Sequence, residues 1–173
     1  GPGWIPIDDD PPPPPACDPY ISNLSADTAF QNRFKYLNNQ TSGTKEYGYA
    51  VFDRANRNYQ QKEGINYVPH IPWNDVIIPG TQVDGILHNH FLNYNNIFSP
   101  DDILLMAELY IKGYVKDTNN FFMGIASNTD APYLIKVTNP AKFRIFAQKI
   151  LALEVSNKWF TKTYDEKLRS GDN

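Results

Sequence analysis

The chain has 173 residues, a net charge of −3 and a single cysteine, Cys17; aromatic residues make up 14% of it, bulk enough for a packed interior. That length suits one compact domain with a sizeable core, and the negative net charge gives no basic footprint for nucleic acid or an anionic membrane surface. One cysteine excludes an internal disulfide and a thiolate zinc cluster, and no apolar run reaches the roughly 18 residues of a membrane span.

Gly1-Pro2-Gly3 has the look of a protease scar, so an export signal upstream stays open, and with it an exported or cell-envelope location. Residues 4–19, with Asp8-Asp9-Asp10 and five prolines from Pro11 to Pro15, cannot form a core and read as a semi-rigid spacer. The expected division is therefore 1–19 as scar and linker and 20–173 as the folded domain, the C-terminal part of a longer protein. Ser25 is expected to cap a helix carrying Ala29, Phe30, Phe34 and Leu37, which ends in the polar stretch Asn38 to Gly43. Tyr47 to Phe52 is a predicted strand, with Asp53 to Gly64 its exposed neighbour or a loop. Pro69, Pro72 and Pro79 predict irregular chain between Tyr67 and Gly80. Val83 to His88 reads as a buried strand, and Pro100 to about Tyr114 as a helix with Ile103, Met106, Ala107, Tyr110 and Tyr114 on one face. Phe121 to Ala126 and Tyr133 to Val137 form a predicted hairpin around Ser127 to Asp130. Pro140 to Val155 is a helix carrying Phe143, Phe146, Ala147, Ile150 and Leu151, and the charged tail beyond Tyr164 is expected to fray. The sum is an α/β fold with a mixed β-sheet flanked by helices.

Chemistry concentrates at one place. His88 and His90 lie one residue apart at a strand end, where the period of two turns both imidazoles the same way. Ser99-Pro-Asp-Asp102 follows at the start of the next helix. Capping alone accounts for that second segment: serine suits the N-cap, proline the first turn, and aspartates the positive end of the helix dipole. A helix-opening aspartate is nonetheless free to face a metal, and two histidines with one carboxylate leave a fourth position for water, as in a catalytic zinc site. The contiguous His-Asn-His is not the nuclease motif of that name, whose residues are dispersed. A deaminase reading fails because it needs a Cys-x-x-Cys.

The pattern His88-x-His90, eight residues, then Ser99-x-x-Asp102 resembles the JAMM (JAB/MPN) zinc metalloproteases, and more narrowly bacterial JAB-type domains that follow proline-rich linkers. The resemblance covers roughly Ser25 to Val137 and implies a JAB/MPN, cytidine-deaminase-like architecture. It implies zinc held by His88, His90 and Asp102, with Ser99 helping to bind the oxyanion. An upstream glutamate would be the general base. Only Glu46 and Glu63 precede His88, and Glu46, with Gly48 close behind it, is preferred. The implied activity is hydrolysis of a peptide or isopeptide bond in a peptide or protein substrate; the alternative is a non-catalytic domain of that fold serving as a binding or scaffold module. Phe91 stands where the family commonly has proline, and the loop Leu92 to Ile97 is rich in asparagine rather than glycine. Asn93, Tyr94, Asn95 and Asn96 are candidates to contact an extended peptide.

Overall fold

The computed structural model describes residues 16–92, 97–128 and 132–170, without the side chains of 156, 157, 159 and 168–170. Two short-range helices open it, α1 (Pro19–Ala26) and α2 (Thr28–Gln40), followed by strands β1 (Tyr47–Asp53) and β2 (Asn58–Glu63). A 3₁₀ turn at Trp73–Asp75 leads to β3 (Gly85–Asn89), α3 (Pro100–Ile111), β4 (Phe122–Ala126), β5 (Tyr133–Lys136), α4 (Pro140–Asn157) and α5 (Trp159–Ser170). The five strands form one sheet in the order β2-β1-β3-β4-β5. Pairing is antiparallel except for β3 with β4, which are parallel and joined through α3. A parallel pair needs such a crossover, since no tight turn can reverse the chain twice.

Strand alternation sorts the core onto two faces. Ala50, Ile86, Met123 and Ile125 pack against Met106, Leu109 and Tyr110 of α3. Tyr49, Val51, Leu87 and Phe122 pack against Phe30, Phe34 and Leu37 of α2. β3 lies at the centre and is buried along its whole length. His88 is therefore placed on the α3 face, two residues beyond Ile86, while Asn89 follows Leu87 onto the other. α4 and α5 cover α3 from outside through Ala107, Ala147, Ile150 and Phe160.

Several expectations are corrected. Ser25 does not cap the first long helix; it lies inside α1, and Asp27 ends α1 and caps α2, its carboxylate accepting from the N–H groups of Ala29 at 2.9 Å and Phe30 at 3.2 Å. A carboxylate reaching two orphan amides is the stronger cap. α3 stops at Ile111, not Tyr114, because Gly113 takes a φ of 80° and turns the chain so that the Tyr114 carbonyl accepts from the Val83 N–H at 2.8 Å. Val83 itself forms a bridge to Val115 ahead of β3. Phe146, expected on the core stripe of α4, is 41% exposed. The tail does not fray at Tyr164: α5 continues to Ser170, with Phe160 buried and Tyr164 donating its hydroxyl to the Phe98 carbonyl. The turn residues 129–131 and the loop residues Asn93, Tyr94, Asn95 and Asn96 lie outside the described residues.

Candidate metal centre

Three chain segments deliver the site. β3 carries His88 and, through its last residue Asn89, leads to His90; the start of α3 supplies Asp102, and Glu46 stands immediately before β1. All four residues are buried, the most exposed of them, Asp102, at 8%.

Asp102 is fixed first, by local sequence. Ser99 is the N-cap of α3 and its Oγ accepts from the Asp102 N–H at 3.2 Å, while Asp102 Oδ2 accepts from the Ser99 N–H at 2.8 Å, a reciprocal capping box. The same carboxylate faces both imidazoles, with Oδ1 2.8 Å from His88 Nε2 and Oδ2 3.1 Å from His90 Nε2. Capping and site geometry thus use one side chain. Glu46 joins from the other side: Glu46, His88 and His90 each offer one ligand atom, all within 4.8 Å of one another, so this buried group could bind a metal ion. The rings of His88 and His90 have centroids 5.2 Å apart.

His88 shows that these residues suit a cation. Neither of its ring nitrogens makes a directed hydrogen bond, although Nε2 is within ion-pair distance of Asp102. The 2.8 Å approach is an ion-pair contact, charged on the histidine side only when the imidazole is protonated. A buried Nδ1 without a partner is costly, on the order of 1–3 kcal/mol. A lone pair placed beside a carboxylate and a second imidazole belongs to a donor set that could bind a metal ion.

The carboxylates are driven apart electrostatically. Burial pushes Glu46 above the ordinary carboxylate range, against the opposing pull of His88 and His90, with the charges of Asp102 and Asp101 adding to the rise. Burial also acts against Asp102, but the charges of His88 and His90 and their contacts outweigh it and hold Asp102 well below that range. For His88, burial disfavours the imidazolium, yet Asp102 and Glu46 overcome it and raise its pKa above 6.5. One carboxylate stays ionised while the other holds a proton more readily, a separation typical of sites where one group bears charge and another moves protons.

A cleft of about 270 Å³ opens onto Glu46, His88 and Asp102, and is lined also by His70, Trp73, Asp101, Leu105 and Glu108. Neither His90 nor Ser99 lines this cleft; Ser99 keeps its Oγ on the helix cap. Glu63, the other upstream glutamate, is exposed on the edge strand and pairs with Lys45 at 3.1 Å, away from the site. Gly48 explains the glycine after Glu46. It pairs with His88 across the sheet, and a Cβ there would stand 2.6 Å from the Leu87 carbonyl oxygen and 2.8 Å from Trp73 Cη2. Only glycine lets the wall of the cleft close over β1.

Sequence reading missed His70, Trp73 and Asn89. His70 and Trp73 arrive from the proline-broken stretch, where no periodicity announces a side chain's direction. Asn89 sits between the histidines with its side chain fully buried. No protein-family model matches this chain, and neither a curated protein nor a solved structure matches it.

Proposed function

We propose that this chain is a zinc-dependent hydrolase of a peptide or isopeptide bond, with the JAB/MPN architecture and the JAMM site it resembles. The observation that carries the reading is the Asp102 carboxylate shared between His88 and His90 at a helix start, with a buried glutamate beside them. His88, His90 and Asp102 would hold the ion. Bound there, its contribution is Lewis acidity, which lowers the pKa of water towards about 7 and polarises a carbonyl.

The remaining work falls to the chain. Glu46, with its pKa raised by burial, is matched to taking a proton from water and returning it to the leaving amine. Ser99 uses an oxygen lone pair in its cap, which leaves its O–H able to donate to a developing oxyanion. Trp73 and Leu105 line the cleft and would offer apolar surface to a substrate backbone. A second reading rests on Glu46 standing as near the histidines as a ligand would. Four protein ligands would close the tetrahedron and make the ion structural, consistent with a binding or scaffold domain.

The test is metal analysis of the purified protein together with turnover of a fluorogenic peptide and isopeptide library. One zinc per chain, lost in His88→Ala and Asp102→Ala, and amide cleavage by the wild type are expected. A wild type that binds no stoichiometric zinc would sink the proposal, and zinc without cleavage of any amide would favour the structural reading.

A further inference from the structure

We infer that Asn89 is a positioning residue that holds Glu46 in register with the histidine pair. The β1–β3 ladder has its last pair at Gly48 and His88. Beyond that pair the two backbones no longer bond each other, and the side chain of Asn89 spans between them. Its Oδ1 accepts from the Tyr47 N–H at 2.8 Å, and its Nδ2 faces the Lys45 carbonyl at 3.4 Å and the His90 carbonyl at 3.3 Å. Tyr47 and Lys45 are the residues on either side of Glu46. One amide therefore brackets the glutamate from both flanks while belonging to the residue that joins the two histidines at the end of β3. The outer side is held separately, since the Glu46 carbonyl accepts from the Gly64 N–H at 2.8 Å.

The physical reason for an asparagine follows from this arrangement. A ladder bond would fix the backbone distance at the usual spacing between strands, about 4.8 Å; a side-chain bridge lets β1 end while its preceding residue turns a carboxylate inward. The site needs an acceptor for one amide and a donor for one carbonyl, and a buried primary amide supplies both. Loss of the side chain takes the partner from the half-buried Tyr47 N–H and frees the Lys45-Glu46 peptide to move. Partners of this kind, one step removed from the ligands, typically change metal affinity or activity 10- to 100-fold when lost.

The inference rests on the metal-binding reading of the site but not on hydrolysis. Its test uses cobalt(II) as the bound probe, whose visible spectrum responds to groups on and next to the ion, and amide exchange in ¹⁵N-labelled protein. In Asn89→Ala the Tyr47 amide is expected to exchange at least ~10-fold faster while amides of β4 keep their protection. The cobalt spectrum should shift towards that of Glu46→Gln, and adding Asn89→Ala to Glu46→Gln should produce no further shift. Where Asn89→Ala fails to fold, Asn89→Asp keeps the acceptor for Tyr47 and loses the donor, and the same spectral comparison applies. A wild-type spectrum in either Asn89 variant, a spectral change that adds to that of Glu46→Gln, or an unchanged Tyr47 exchange rate in a folded Asn89→Ala would overturn the inference. A protein that binds cobalt and passes these tests yet cleaves no amide would refute the hydrolase proposal alone.

Discussion

Asp102→Asn separates the two roles of the shared carboxylate. Asparagine retains an acceptor for the Ser99 N–H, so the capping box is weakened by only a few tenths of a kcal/mol. The charge facing His88 at 2.8 Å and His90 at 3.1 Å is removed. Breaking a buried pair costs roughly 3–5 kcal/mol when a charge is stranded, but His88 can shed its proton, so about 2–4 kcal/mol is expected for the metal-free protein. The pH dependence carries the sign. Asp102 is depressed in the fold, so its contribution is present above 3.8 and lost as pH falls through its folded pKa. His88 is raised, so its contribution is full below 6.5 and is lost as pH rises through its folded pKa. The deficit of Asp102→Asn should therefore be largest between those values and shrink in alkali. Urea unfolding of chelator-treated wild type and variant at pH 5.5 and pH 9 measures it. An equal deficit at both values would refute the pairing and leave Asp102 as a cap alone.

Gly48→Ala places a methyl against the Leu87 carbonyl oxygen and Trp73; the backbone contact cannot yield, so a loss of about 1–3 kcal/mol in chemical denaturation is expected, with a changed tryptophan emission as the cleft wall moves. Ser99→Ala removes the acceptor for the Asp102 N–H and should cost about 1 kcal/mol of stability while leaving zinc bound, as read by denaturation and metal analysis. Zinc uptake must displace the proton of His88, whose pKa Asp102 and Glu46 raise against burial, so apparent affinity in a competition titration should fall as pH is lowered through that raised pKa, and His88→Ala should flatten the fall. An affinity whose pH dependence is the same in His88→Ala would contradict the placement of His88 on the ion.

The parts of the site that could be read from the chain are those set by local rules. The strand period places His88 and His90 together, Ser99 to Asp102 is a cap by residue type, and Glu46 stands out because only one other glutamate precedes the histidines. What escaped depends on distant partners. Asn89 looks like a spacer until its bonds to Lys45 and Tyr47, more than 40 residues away, are seen. His70 and Trp73 depend on how an irregular segment folds back over Gly48. The charged chain beyond Tyr164 reads as a fraying tail, yet α5 continues through it to Ser170, held by Phe160 and Tyr164 packed with α3 and α4 rather than by propensity. The mixed sheet was legible from alternating patterns; the strand order, which puts β3 between β1 and β4 and so brings Glu46 to His88, was not.

In the proposed hydrolase Glu46 acts beside the ion rather than on it. Zinc content and amide hydrolysis measured on one preparation of Glu46→Gln decide this: one zinc per chain, as in the wild type, with hydrolysis abolished, is expected. Loss of zinc in that variant would contradict it and make Glu46 a ligand of a closed, structural site.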